Sequence, residues 1–527
     1  MTENAASEIQ KDSLPEDIES YRPTIYTEDR RLQDITSEAL DSLLGNSDTP
    51  LIFQRGGFLC RLREKEPGKL VTENINDAIL RGILSRSADY RKTEMSKLCP
   101  PPSHVIKDVL TLGEFPFPYL DGIVSCPVLR ADGSLLSVPG YDEASNLYYN
   151  ESEELEMPEI PDSPTRDDAI QACKFVISNI FVDFPFEDDA SMANALAGLL
   201  SPIVRPMIEG CIPMMLVDKP SPGTGASLIL EVISIIAIGQ VAEMKSPQGG
   251  EQEWRKMITS TLREGPALIY IDNIDNLLKS ASLSRALTLS RWSDRLLGKN
   301  EMLSLPQRAC WYANGNRLSL GGDLPRRCYL VRMDAKMAHP WERDPSKFKH
   351  SDIRGWLTEN RGRLLAALLT MARAWVVAGR SSGTGKVIVG YTEWVETLDG
   401  ILKHAGVTGF LDNLDELYSQ ADEGTDQWQT FLETWFSIFG DRVVSSKEVV
   451  MQLEKLDTDF STEAPEEISK AMSGNKIGRV IRVGKALSKK HKVRYTNGYM
   501  LIKGEDKADS KKTWHLKKIS GEPVVDG

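Results

Sequence analysis

The stretch that most constrains this 527-residue chain lies near its middle. Residues 212–218 (IPMMLVD) read as a buried strand, KPSPGTG follows as a loop, and residues 226–238 form an apolar helix that stops at Gly239. A strand, a glycine-rich loop and a helix in that order make an anion cradle. Glycines let backbone N–H groups approach phosphates, and the helix N-terminus adds partial positive charge. Against the pattern G-x-x-x-x-G-K-[ST], Gly223, Thr224 and Gly225 shape the loop, and Ser227 is placed to reach Mg²⁺ through its hydroxyl. Two positions depart from the pattern. Pro220 replaces the first glycine, and Ala226 stands where a lysine neutralises the β- and γ-phosphates.

A second apolar strand, residues 267–272 (ALIYID), ends in a carboxylate that can hold the water shell of Mg²⁺. Asp272 follows Gly225 by 47 residues (272 − 225). The next residue, ordinarily a glutamate that polarises the attacking water, is Asn273, with Asp275 two further on. Residues 309–313 and 328–333 supply two more buried strands. Strands alternating with helices predict a parallel, helix-covered sheet, hence an α/β core over residues 167–345. Helical periodicity then dominates residues 346–426.

The length exceeds what one core supports, and three or four domains are expected. Residues 1–20 are polar and acidic and read as a disordered start. Residues 21–150 read as a small α+β domain. Residues 151–164 pack six acids and three prolines into fourteen positions, so 151–166 reads as a linker. With 41% hydrophobic and 26% charged residues, the composition is that of an ordinary soluble globular protein. Seven scattered cysteines without a CxxC pair argue for buried thiols in a reducing cytoplasm and against a zinc site or a disulfide framework. No stretch is long and apolar enough to predict a membrane span or a signal peptide.

The formal charge of −13 hides a segregation. Residues 471–520 carry 14 Lys/Arg against 3 Asp/Glu. Within a module spanning 427–520, residues 446–455 and 464–472 read as two short helices and 476–487 as a third. The segments YMLIK and TWHLKK follow as a hairpin. The third helix is expected to bury Ile477, Val480, Ile481 and Leu487 and to show Arg479, Arg482, Lys485 and Lys489 on its outer side. Helix, helix, helix and wing with basic outer positions is the winged-helix pattern, whose third helix commonly enters a DNA groove. A protein-docking module with a solvated basic face is the alternative.

The ordered set PGTGAS, LIYIDNID, YANGN and GDLPRRC resembles the AAA+ module of replication helicases encoded by phages and integrated mobile elements. That group is similar to minichromosome maintenance helicases and often accompanies primase-polymerase domains. The resemblance extends from about residue 21 to the end and is most specific over 218–334. It implies an AAA+ P-loop core with a helical lid, ATP and Mg²⁺ as cofactors, and a homo-oligomeric ring, expected to be a hexamer. YANGN then resembles sensor 1, with Asn316, or Asn314, near the γ-phosphate. GDLPRRC resembles the arginine-finger segment, with Arg327, or its neighbour Arg326, reaching a neighbouring subunit's nucleotide. Arg361 is a candidate second sensor or a surface ion-pair residue. In related helicases the place of residues 296–306 holds a hairpin in the central pore, where Lys299 would track single-stranded DNA. The expected function is ATP-driven unwinding or translocation of DNA in replication, with turnover slowed by Ala226. A catalytically inactive DNA-binding initiator or regulator is the alternative.

Overall fold

The computed structural model describes residues 22–45, 52–151, 155–295, 302–455, 458–473, 475–493, 495, 497–504 and 513–518. The predicted disordered start, residues 1–20, and Lys299 lie outside the described residues.

A five-stranded parallel sheet carries the core. Its strands are β1 (Met214–Lys219), β2 (Met244–Lys245), β3 (Leu268–Leu278), β6 (Cys310–Leu320) and β7 (Cys328–Arg332), in the order β2-β3-β6-β1-β7. Between β3 and β6 the chain makes an antiparallel hairpin, β4 (Arg291–Arg295) with β5 (Met302–Pro306). The apolar runs read from the sequence fall on these strands, and β6 runs through the centre.

Helices cover both faces. On one face lie α2 (Asp189–Val204), α3 (Ala226–Ile238), α6 (Ile353–Val377) and α7 (Thr392–His404), packed with α1 (Arg166–Val176) into the largest hydrophobic cluster. On the other lie α4 (Glu251–Glu264) and α5 (Ala281–Thr288), joined by the buried Trp292 of the hairpin. Strand alternation sorts the side chains between these layers. Met215 and Val217 of β1, Tyr270 of β3 and Tyr312 of β6 face the α3 layer. Met214 and Leu216, Ile269 and Ile271, and Trp311 and Ala313 face the α4 layer.

The segment expected to be a linker is packed, where it is described, along α6. Ile160 is buried, Leu155 and Met157 lie against the same cluster, and Arg373 pairs with Asp162 at 2.8 Å. A Cβ at Gly362 would lie 1.8 Å from the Glu156 carbonyl oxygen. Proline content alone had hidden these three apolar anchors. Gly362→Ala is therefore expected to destabilise the protein by about 1–3 kcal/mol, although alanine inside a free helix stabilises by about 0.5–1 kcal/mol. The sign of the change in urea unfolding checks the contact.

Cys126, Val128, Leu129, Leu136, Leu147 and Tyr149 join the largest cluster, whereas residues 25–117 form helices and short sheets around a core of their own. They meet α4 at its C-terminal end, where Arg55 donates to the Leu262 carbonyl at 2.9 Å and Lys65 pairs with Glu264 at 3.0 Å. At the other end of the chain α8 (Leu414–Phe439) leaves the central core through Leu417 and enters a separate one through Trp428, Phe431 and Trp435. That core also holds β8 (Val444–Ser445), α9 (Ser446–Leu453), α10 (Glu466–Ser473), α11 (Arg479–Lys489), β9 (Tyr499–Gly504) and β10 (Thr513–Lys518). The three strands form an antiparallel sheet in the order β8-β10-β9.

Six of the seven cysteines are buried, and Cys99 is half-buried. Among the described residues no three His, Cys, Asp or Glu side chains group as metal ligands, and no helix is long and apolar enough to cross a membrane.

Candidate functional site

The glycine loop joins the C-terminal end of β1 to α3. Gly223 and Gly225 take left-handed φ of 84° and 98°, a conformation open to glycine at little cost. A Cβ on Gly223 would come within 2.9 Å of the Trp341 backbone nitrogen, because the PWE turn (Pro340–Glu342) lies against the loop. The first turn of α3 has no side-chain cap, so its N–H groups remain open to an anion. Thr224 is 1% exposed, and its Oγ1 has no hydrogen-bond partner. The crevice beyond the carboxyl ends of parallel strands, where connections leave to opposite sides, is where open α/β sheets bind ligands.

Opposite the loop stands a small polar cluster. Ser227 Oγ lies 3.3 Å from Asp272 Oδ1, and Asn314 Nδ2 donates to the same carboxylate oxygen at 2.7 Å. Asn314 Nδ2 also lies 3.3 Å from Ser227 Oγ, while its Oδ1 accepts the Asn273 backbone N–H at 3.1 Å. Strand parity explains the convergence: Tyr312 faces α3, so Asn314 does too, as does Asp272 two residues after Tyr270. Asn273 contributes its main chain here, at φ 56°, and its side chain is exposed. Asn316, paired in register with Lys219, joins none of these contacts, and its Oδ1 is buried without a partner.

One hydroxyl and one carboxylate 3.3 Å apart fit a magnesium ion. Two adjacent ligands of an octahedral ion with bonds of about 2.0–2.1 Å stand about 2.9 Å from each other, a small closing movement away. The sparse donor set is also that of Mg²⁺, which keeps waters and takes phosphate oxygens for its other positions.

Two neighbours of the loop lie outside the phosphate-loop pattern itself. Trp341 stands beside His339 with ring centroids 4.8 Å apart and remains largely exposed. Lys219 closes β1 and is 9% exposed. Burial pulls its amine below the ordinary lysine range, against the attraction of Asp272 and Asp218. Asp218 itself faces the other way and accepts the Leu318 N–H at 2.8 Å.

The arginine pair differs in its surroundings. Arg327 is tied within its own chain to Thr288 Oγ1 and lies 3.5 Å from Asp323. Arg326 is exposed, without an ion pair or side-chain hydrogen bond among the described residues. Arg361 is not a surface residue. It is buried, donates to the Ile236 carbonyl at 3.0 Å and the Ser125 carbonyl at 2.7 Å, and so ties the end of α3 to residues 22–150.

In the C-terminal module α11 faces differently from its reading in sequence. Val483 and Leu487 are buried, whereas Ile477, Val480 and Ile481 are exposed. Ile477 precedes the helix, which begins only after Gly478 at φ 97°, so it is not on the expected helical face. Arg482 turns inward, donating to the carbonyls of Ala471 and Asn475, both at 2.9 Å, and Arg479 pairs with Glu454 at 3.1 Å. Lys485 and Lys489 are exposed.

No family model matches the chain, and no curated protein does. Among solved structures, the apo A form of the NrS-1 C-terminal region is similar over 91% of this chain and 98% of that one, at 11% identity and a TM-score of 0.36. That likeness is too distant to bear on fold or chemistry.

Proposed function

We propose that the chain is a ring-forming AAA+ ATPase that translocates on or unwinds DNA during replication of a phage or mobile element. One observation supports this above the others: Ser227, Asp272 and Asn314 converge beside an uncapped helix N-terminus that opens from a glycine loop. Ser227 and Asp272 would hold the metal, and the bound Mg²⁺ would neutralise charge on the phosphates. Asn314, already bonded to the carboxylate, would orient Asp272 and meet the terminal phosphate; that contact supports the sensor role for Asn314 over Asn316. Asn273 lies next to this cluster at the position of the water-polarising residue. Arg326 and Arg327, on the segment before β7, would serve a neighbouring subunit. Arg327 must first leave Thr288, and Arg326 needs no such release.

The C-terminal sheet and helices would hold duplex DNA as a winged helix, and the β4–β5 hairpin would meet the single strand in the pore, with Lys299, between its two strands in sequence, as the expected contact. A primase or polymerase is the expected working partner.

The test is Mg²⁺-dependent binding and hydrolysis of ATP by the full chain, with and without DNA, alongside its mass in solution. Saturable binding, DNA-stimulated turnover and a nucleotide-dependent ring are expected. Binding with no turnover in the assembled, DNA-bound state would favour a non-hydrolysing initiator, the reading that Ala226 supports. Within the active reading, Asn314→Ala should lower turnover about tenfold or more, as loss of a hydrogen bond to a charged group does. Asn316→Ala should have a smaller effect, and phosphate-release rates compare them directly.

A further inference from the structure

The loop of residues 220–225 holds no cationic side chain, and Ala226 is buried in the helical core. The nearest lysine in sequence stands at the other end of the loop. Met215 and Val217 face the α3 layer, and the same alternation puts Lys219 on that face, one pleat further along β1. The register pairs Val217 with Asn314 and Lys219 with Asn316. Lys219 thus shares a sheet face with Asn314, Asp272 and the helix that carries Ser227. Pro220 keeps it there, because the residue before proline is held to extended backbone.

Lysines are almost never fully buried unless paired. At 9% exposure Lys219 has neither an ion pair nor a side-chain hydrogen bond among the described residues. Two polar atoms in this region are buried and unsatisfied, Thr224 Oγ1 in the loop and Asn316 Oδ1 on the register partner. Buried polar groups ordinarily find partners, so these two, beside a largely buried lysine without an ion pair, point to a ligand at the anion cradle. The carboxylates whose attraction the amine feels, Asp272 and Asp218, form no ion pair with it among the described residues.

We propose that Lys219 supplies, from the entry side of the loop, the positive charge on the β- and γ-phosphates of a nucleoside triphosphate that position 226 does not carry. The inference rests on reading the loop as a nucleotide site. It adds a preference: the site should separate triphosphates from monophosphates by charge, even though Ala226 contributes none.

The experiment uses the full chain, Mg²⁺, ATP and AMP. Lys219→Met, which keeps the apolar stem, should weaken ATP about 10- to 100-fold, as loss of a charge-assisted hydrogen bond does, and AMP less than about threefold. Parent protein that fails to bind ATP would overturn the nucleotide reading itself. Parent that binds ATP while the variant binds it equally well, or loses ATP and AMP alike, would overturn the role of Lys219 alone. A second measurement needs no variant. An acyl phosphate of ATP passes its acyl group to an amine lying against the phosphates, with release of ATP. Peptide mapping should find the acyl group on Lys219, suppressed by excess ATP and not by AMP. Saturable labelling of other lysines with Lys219 untouched would refute the assignment.

Discussion

Asp272→Ala in the full chain is expected to lower Mg²⁺-dependent ATP turnover by about 10²-fold or more, as loss of a contact to developing transition-state charge does. Asp272 Oδ1 is the shared member of the polar cluster: it accepts from Asn314 at 2.7 Å and lies 3.3 Å from Ser227 Oγ. Removing it would deprive a bound Mg²⁺ of the carboxylate proposed to hold it and leave Asn314 Nδ2 without its nearest acceptor. Binding of ATP in a chelator, where no metal bridges the two, should change little. That split separates a metal-holding role from a collapse of the loop. Phosphate release with Mg²⁺ and DNA, set beside nucleotide affinity in chelator, reads both. Parent-level turnover in the variant would remove Asp272 from the chemistry and, with it, the main support for an ATP-driven motor.

The parts of this site legible in the sequence are those fixed by local backbone rules. Helix α3 begins and ends where the sequence places it because left-handed glycines stand at both limits, Gly225 at φ 98° and Gly239 at φ 78°. The apolar run up to Asp272 was legible as a strand, although β3 does not end there and runs on to Leu278 past a register shift after Ile271. The choice between Asn314 and Asn316 was not. The two have the same parity and differ only in how far along β6 the loop and Asp272 lie, which is set by pairing with residues 42 and 87 positions away in the chain. Lys219 escaped notice because a motif directs attention to position 226, while its significance comes from burial without a partner. Ile160 escaped it because acids and prolines outnumber the apolar residues around it. In α11, Gly478 sets the start of the helix past Ile477, while Val480 and Ile481, within it, are exposed rather than buried with Val483 and Leu487.

The corrected facing of α11 yields the last expected result. Lys485→Glu with Lys489→Glu should weaken binding of duplex DNA about 10- to 100-fold at low salt and reduce the salt slope by about two, since each phosphate contact contributes about 0.9. Both side chains are exposed one helical turn apart, so their reversal leaves the core of Trp428, Val483 and Leu487 untouched. Arg482→Ala makes the contrast. That guanidinium spans two backbone carbonyls, Ala471 and Asn475, and joins α10 to α11. Its loss should lower the melting temperature of the module, with any loss of DNA affinity following from unfolding. Fluorescence anisotropy over a salt series, with a thermal melt for each variant, distinguishes the two causes. Unchanged affinity and slope in the folded Lys485/Lys489 variant would take DNA away from this face. The exposed Ile477 and Ile481 beside it would then mark a surface for protein, leaving the β4–β5 hairpin as the DNA contact.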